Sequence, residues 1–281
     1  MNAALLGLLA ETSIHPGAGQ SAGFVDLPVA REAATDYPVI VGSSVKGALR
    51  DMARQLGKDD EQLAEQIFGK QEHAGQLLVS DARLAMLPVR SLSSSFRWVT
   101  CPHLLERLAR DQARAGASVD VAEGFAALRK LTENSALGKK DADEPFLFLE
   151  ERQFQLTGDV PAEIIALVEG LIAHTITRSS LKERLVVVSD DDFAWFARYG
   201  LAINARNQLD VNTKESKNLW YEETLPPDSL FYVVLAERST TSNALEQTLS
   251  WFKARPYVQM GGNETVGQGW FAVKSVVKGG Q

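Results

Sequence analysis

The stretch Pro38-Val-Ile-Val-Gly-Ser-Ser-Val-Lys-Gly-Ala-Leu-Arg-Asp-Met-Ala-Arg-Gln-Leu56 changes from a short apolar run into a helical pattern. Val45, Leu49, Met52 and Leu56 recur at helical spacing, and Ser43 and Ser44 stand before them as N-cap candidates, which predicts a helix from about Ser44 to Leu56. Toward the N-terminus, apolar Ala3 to Thr12 reads as a first strand. The loop Ser13 to Gly23 follows, and its three glycines and one proline cannot continue either regular element. Toward the C-terminus the pattern predicts a short helix near Glu61 to Phe68, an extended stretch from Gln76 to Pro88, a polar loop at Ser91 to Ser95 and helical periodicity from Pro102 to about Leu131. Glu133 to Glu144 is polar and charged and reads as a loop or boundary, before an extended Pro145 to Glu150 and a helix from Ala162 to His174. Leu185 to Ser189 reads as a buried strand, and Asp190 to Asp192 supply N-cap chemistry for the next helix. Ile203 to Asp210 and Leu219 to Leu235 read as the arms of a long hairpin joined by Val211 to Asn218. A helix near Ala244 to Lys253 and strands around Tyr257 and from Trp270 to Val277 close the chain. This order, with many antiparallel-type connections, predicts an α+β fold rather than a doubly wound parallel sheet.

Composition bounds the function. The 281 residues suffice for about two domains or one with large insertions, and 45% hydrophobic with 23% charged residues is globular. A lone cysteine, Cys101, excludes an internal disulfide and any cysteine-pair zinc or redox motif, which points to a reducing, cytoplasmic compartment. No apolar run approaches the ~18–20 residues of a membrane span, and no basic residue precedes Ala3 to Ala10 as a signal segment would require. Net charge is −7. Because local patches set phosphate contacts, nucleic-acid binding then requires a basic groove with acidic surfaces elsewhere.

Lys46, Arg50 and Arg54 form a basic stripe on the helix opposite its apolar residues, a solvated face or a phosphate-binding one. Gly47, costly in a helix, suggests close approach of a backbone or ligand. Gly261-Gly-Asn-Glu-Thr-Val-Gly-Gln-Gly269 resembles a P-loop in spacing but lacks its Lys and Ser/Thr, so it reads as a hairpin or a polynucleotide cradle, with Gly261 and Gly262 at its start. His15 and Asp26 are acid–base candidates on one glycine-rich segment that can fold back on itself. Alternation sends Glu222 and Glu223 to opposite strand faces, so at most one serves a given site. Trp220, Tyr221, Trp98 and Phe96 lie among polar residues, suited to base stacking or to core packing. No His-x-x-x-His spacing and no nucleophile elbow appear.

Several patterns coincide in order along nearly the whole chain: His15-Pro-Gly-Ala-Gly19, Gly23-Phe-Val-Asp-Leu-Pro-Val-Ala-Arg-Glu32, Tyr37 to Arg50, Ser80-Asp-Ala-Arg-Leu84, Trp98-Val-Thr-Cys-Pro102, Leu219-Trp-Tyr-Glu-Glu-Thr-Leu-Pro226 and Gly261 to Gly269. In these the chain resembles the RAMP (repeat-associated mysterious protein) superfamily, and within it the backbone subunits of type III-B CRISPR Cmr effector complexes. One departure is Gln268, where the family's loop commonly has lysine.

The resemblance implies a single RAMP domain over 1–281, with a ferredoxin-like (RRM-like) core, a mainly helical insertion at about 91–145 and a β-hairpin thumb at about 203–232. It also implies head-to-tail self-association along a CRISPR guide RNA, contacts with other Cmr subunits, and cleavage of complementary target RNA at regular intervals with a divalent metal, magnesium or manganese. Asp26 matches the family's catalytic, metal-associated aspartate, His15 would orient the loop or the phosphate, and Tyr221 or Glu222 would stand near a neighbouring site. Ser43, Ser44, Lys46, Arg50, Gly261, Gly262, Trp220 and Tyr221 are the expected RNA contacts. Two other readings are a purely structural RNA-binding filament subunit and a metal-independent endonuclease that processes the guide precursor.

Overall fold

The computed structural model describes residues 2–56, 61–117, 120–140 and 146–276; of the segments read above, 118–119, 141–145 and Val277 lie outside them. The chain starts in β1 (Ala3–Ala10). After the first loop, β2 (Val39–Ile40) leads into α1 (Gly42–Leu56) and α2 (Glu61–Phe68). The short pair β3 (Gly69–Lys70) and β4 (His73–Ala74) returns the chain to β5 (Leu77–Val79), β6 (Ala82–Arg90) and β7 (Phe96–Thr100). Next come α3 (Pro102–Arg114), α4 (Ala122–Leu128), β8 (Ser135–Gly138), β9 (Phe146–Leu149) and β10 (Arg152–Gly158). α5 (Ala162–Glu169), α6 (Thr175–Arg184), β11 (Leu185–Val188) and α7 (Asp190–Tyr199) follow. A hairpin of β12 (Ala202–Leu209) and β13 (Ser216–Thr224) then precedes β14 (Leu230–Glu237), α8 (Ala244–Ala254), β15 (Tyr257–Gln259) and β16 (Trp270–Val276).

The main sheet has the path β15-β16-β1-β14-β6-β7-β11-β8-β10-β9. β1 pairs antiparallel with β14 on one side and β16 on the other, and β14 continues antiparallel to β6. β1 carries no polar side chain and no period-2 alternation because both of its faces are covered. Leu6 and Leu8 pack in a cluster with Val45, Leu49 and Met52 of α1 and Phe252 of α8; Leu5 and Leu9 pack in another with Leu105 and Leu108 of α3 and Ile164 and Leu167 of α5. Gly7 interrupts the apolar run for a steric reason: a Cβ there would stand 2.0 Å from the Leu171 carbonyl oxygen. The mixed, sheet-rich architecture agrees with the α+β reading. Among the described residues no helix is long and apolar enough to cross a membrane.

Several expectations change. α1 starts at Gly42, and the amides of Ser44 and Val45 already donate to the Val41 carbonyl, so Ser43 and Ser44 lie inside the first turn rather than capping it. The Gly42 amide is met instead by Asp81 Oδ1 at 2.7 Å, so a remote carboxylate already occupies this helix end. A Cβ on Gly47 would meet nothing within 4 Å, which removes the expectation of close approach by this chain's own backbone. The polar segment read as a loop at 133–144 contains β8, a buried strand paired with β10 and β11. It is anchored by Asp192, which accepts from the Asn134 amide at 2.9 Å and pairs with Arg152 at 2.6 Å. The helix expected to reach His174 stops at Glu169, before Gly170. Trp98 and Phe96 are not base platforms. Trp98 is buried with its indole N–H on the Asp228 carbonyl, and Phe96 packs edge-on to it beneath Arg184. The arm read as Leu219 to Leu235 divides at Pro226-Pro227, where no amide can continue a ladder. β13 stays in the hairpin, whereas β14, with Tyr232, joins the main sheet.

Asp228, in this turn, has φ 67°, a left-handed conformation that asparagine tolerates. Burial, then the nearby Glu11 charge, push its carboxyl above the usual 3.8. A raised acid contributes stability at low pH that is lost as pH rises and the group ionises. Asp228→Asn is therefore expected to raise the melting temperature at pH 7 by about 1–2 °C, corresponding to on the order of 0.5 kcal/mol after solvent screening. The gain should vanish below pH 3.8, as thermal melts at the two pH values would register.

Candidate active site

The first loop folds back on itself and docks along β13. Ile14 exchanges backbone bonds with Leu225 (3.0 and 2.9 Å), the Leu27 amide donates to Tyr221 O (3.1 Å) and the Glu223 amide donates to Leu27 O (3.0 Å). Between these anchors Ala18 N donates to Pro28 O and Ala30 N to Pro16 O, at 3.1 and 2.7 Å. A segment with the composition of an open loop thus becomes an added, irregular edge of the hairpin.

This docking brings His15 and Asp26 to the same strand. Asp26, exposed, accepts from the Tyr221 amide through Oδ2 at 2.7 Å, and Oδ1 has no hydrogen-bond partner among the described residues. His15 is 8% exposed and its Nδ1 lies 2.8 Å from the Glu223 carbonyl oxygen. A carbonyl only accepts, so Nδ1 carries the proton and, in the neutral ring, Nε2 is an acceptor. A Cβ on Gly17 would come within 2.9 Å of that Nε2.

Glu222 and Glu223 are both buried, at 2% and 7% exposure, and alternation does send them apart. Glu223 turns to the first loop: Oε2 accepts from the Val29 amide (3.0 Å), and Oε1 pairs with Arg31 (2.7 Å). Arg31 also donates to the carbonyls of Asp36 and Ala197, at 2.9 and 2.8 Å, tying the loop to α7. Glu222 turns the other way, accepting from Asn263 Nδ2 and standing 3.6 Å from Arg206 Nε. Asn263 has φ 62° in the glycine-rich loop. That loop supports the site from below: Gly262 N donates to His15 O (2.9 Å), and a Cβ on Gly261 (φ 92°) would stand 2.8 Å from the same oxygen. Gly261 and Gly262 therefore shape the seat of His15, and one of their amides is already used.

The α1 residues border two adjoining clefts. Ser44 and Gly47 line one of about 440 Å³ with Pro16, Gly17, Gly261 and Gly262. Ser43, Lys46, Gly47 and Arg50 line another of about 340 Å³ with Lys70. The basic stripe is partly engaged: Arg50 and Arg54 pair with Glu61 at 2.9 and 2.7 Å and hold its carboxyl at about 2, and Arg50 also donates to Gly69 O. Trp220 is half-buried and Tyr221 exposed on β13.

Among the described residues no group of three His, Cys, Asp or Glu is placed to cage a metal ion. A largely hydrated magnesium ion held by substrate phosphates needs only one protein carboxylate, and Asp26 Oδ1, without a hydrogen-bond partner among the described residues, would supply it.

Sequence reasoning named Glu223 beside Glu222 without its partner, and did not single out Arg31, Arg206 or Asn263. Only Asn263 carries a local signal, an Asn after two glycines marking a left-handed turn. The Arg31–Glu223 pair joins residues 192 apart in sequence, and no local pattern announces it.

The model of the RAMP superfamily matches residues 8–272. The CRISPR system Cmr endoribonuclease Cmr4 of Pyrococcus furiosus is 32% identical, over 97% of this chain and 95% of its own. The CRISPR system CMR subunit Cmr4 of Saccharolobus solfataricus is 25% identical over 92% of each. Among solved structures, oligomeric Cmr4 from Pyrococcus furiosus superposes with a TM-score of 0.75 at 29% identity, covering 98% of both chains.

Proposed function

The chain belongs to the RAMP superfamily, and on that premise we propose that it is a guide-RNA-binding backbone subunit of a type III-B effector complex that cleaves complementary target RNA from its first loop. The observation that carries the reading is the convergence of His15 and Asp26 on β13, one exposed carboxylate and one histidine with a fixed tautomer. We read β16-β1-β14-β6, connected through α1 and α8, as the ferredoxin-like core of a single domain, with 91–145 as its insertion and β12–β13 as its thumb. Head-to-tail self-association and contacts with other Cmr subunits belong to the same proposal. A heterologous interface of that kind builds an open array.

RNA carries its own nucleophile. The 2′-OH attacks the adjacent phosphorus, the 5′-oxygen leaves, and the site must align the two and manage one proton. Asp26 accepts that proton or holds a divalent ion, and His15, donating through Nδ1 to the Glu223 carbonyl, orients the loop. When bound, the ion supplies charge neutralisation at the phosphate. Arg206, on the hairpin face that carries Glu222 and Trp220, adds a cation for the charge that develops there. Ser43, Ser44, Lys46 and Arg50 follow the guide backbone along the two clefts.

The alternative, a scaffold without nuclease activity, is favoured by one observation: Asp26 already has a structural bond to Tyr221 N. Cleavage of labelled target by the assembled complex, with and without chelator, and with Asp26→Ala, tests the proposal. Regularly spaced cuts lost in both cases support it. Cuts that survive the substitution make the chain a scaffold, and cuts insensitive to chelation point to metal-independent chemistry.

The Glu61 clamp gives a further expected result. Glu61→Gln releases Arg50 and Arg54 to RNA, so affinity rises at low salt. The slope of log affinity against log salt steepens by about 0.7 per added phosphate contact. An unchanged slope in a salt titration would place the stripe off the RNA path.

A further inference from the structure

We infer that Asn263 is a positioning residue through which the glycine-rich loop reports occupancy of the larger-mouthed α1 cleft, the one bordered by Ser44, to the β12–β13 hairpin. The inference rests on the proposed path of the guide along α1 and on the proposed place of the hairpin in cleavage. It adds a physical link between the two.

The loop from Gly261 to Gly269 has two sides. Gly261, Gly262 and Glu264 line the cleft of about 440 Å³ that Ser44 and Gly47 border from α1. Asn263, between Gly262 and Glu264, turns the other way, and its Nδ2 donates to Glu222 Oε1 on β13. The same loop is bonded to the stem of the first loop, Gly262 N donating to His15 O at 2.9 Å and Gly269 N to Ser13 O at 3.0 Å. One short segment thus touches the cleft, the first loop and the hairpin.

Asn263 is held at backbone and side chain. Its φ of 62° is left-handed, a conformation asparagine tolerates, and its carbonyl receives the amides of Val266 and Gln268 at 3.1 and 3.2 Å, which closes the turn. Nδ2 has two hydrogens and both are committed, one to Glu222 and one to Gln268 Oε1 at 3.0 Å. Glu222 is buried, and among the described residues its hydrogen-bond donor is Asn263. Its other oxygen lies 3.6 Å from Arg206 Nε, a buried nitrogen without a hydrogen-bond partner among the described residues. A buried carboxylate held by one amide and one cation follows any movement of either, because leaving it unpaired is costly. A shift of Asn263 therefore moves Glu222 and, through its charge, the Arg206 guanidinium. RNA seated in the cleft meets the residues on either side of Asn263, so it immobilises the turn and the hairpin with it.

The test uses the full chain with guide RNA for hydrogen exchange and the assembled complex for cleavage. Asn263→Gly keeps the left-handed turn and removes only the amide. Guide binding to the wild type is expected to slow exchange in α1 and in β12–β13 together. In Asn263→Gly the guide should still bind and protect α1, the added protection of the hairpin should be lost, and target cleavage should slow about ten- to a hundredfold. Asn263→Asp sets two carboxylates against each other and should be at least as slow. Adding Glu222→Gln to it exchanges donor and acceptor, with Gln268 turning its amide to match, and should recover hairpin protection and part of the lost rate. Hairpin protection that survives in Asn263→Gly, or a double variant that recovers neither property, would overturn the link. If the wild-type complex cuts nothing, the nuclease reading fails, and the exchange measurements alone decide whether the hairpin follows the cleft.

Discussion

Replacing Asp26 with asparagine is expected to lower target cleavage by the assembled complex by two to four orders of magnitude, while guide binding and thermal stability stay unchanged. The asparagine oxygen can still accept from the Tyr221 amide, so the loop keeps the bond that holds it on β13. What disappears is the charge on an exposed carboxylate, and with it the capacity to take a proton or hold a divalent ion. Because the side chain is at the surface, a melting-temperature change beyond about 1 °C is not expected. Single-turnover cleavage beside a guide-binding titration is the measurement. Full activity in Asp26→Asn would assign the aspartate to the hairpin bond alone.

Removing the Arg31 guanidinium should have the second large effect. In Arg31→Met the buried Glu223 carboxylate loses its ion-pair partner, and the carbonyls of Asp36 and Ala197 lose their donor. Breaking one side of a buried pair costs about 3–5 kcal/mol, which for a chain of this size lowers the melting temperature by about 10 °C. Cleavage should also slow by at least about tenfold at temperatures where the variant is fully folded. The strand segment that Glu223 holds through Val29 continues directly into Leu27 and Asp26. Arg31→Lys should recover part of the rate, and Glu223→Gln added to Arg31→Met part of the stability, since the second change removes the unpaired charge. A variant that melts early yet cuts at the wild-type rate when folded would confine the brace to stability.

The elements that were legible in the sequence are those whose pattern is local. Val45, Leu49 and Met52 face the core as their spacing requires, and α2 spans Glu61–Phe68, the segment read as a short helix. β1 was legible as an apolar run, although only the packing of Leu171 explains Gly7. β8 was not legible. Its four residues lie in a polar segment, and their strand conformation is supplied by β10, β11 and the Arg152–Asp192 pair. For the site, His15, Asp26 and Glu222 were visible as residue types suited to the chemistry, while their arrangement was not.

By itself the sequence determined the period of each strong element, the exclusion of an internal disulfide and of cysteine-pair motifs, and the candidate acids, bases and cations, because these depend on residue types and on neighbours a few residues apart. Only the tertiary structure decided that the first loop becomes an edge of β13, that Glu223 and Arg31 brace it, that Glu61 holds Arg50 and Arg54, and that Asp81 rather than a serine meets the start of α1. Each of those contacts joins groups that are not neighbours on the chain. Such a contact forms only once the core has brought its partners within hydrogen-bonding distance, so no local periodicity records it.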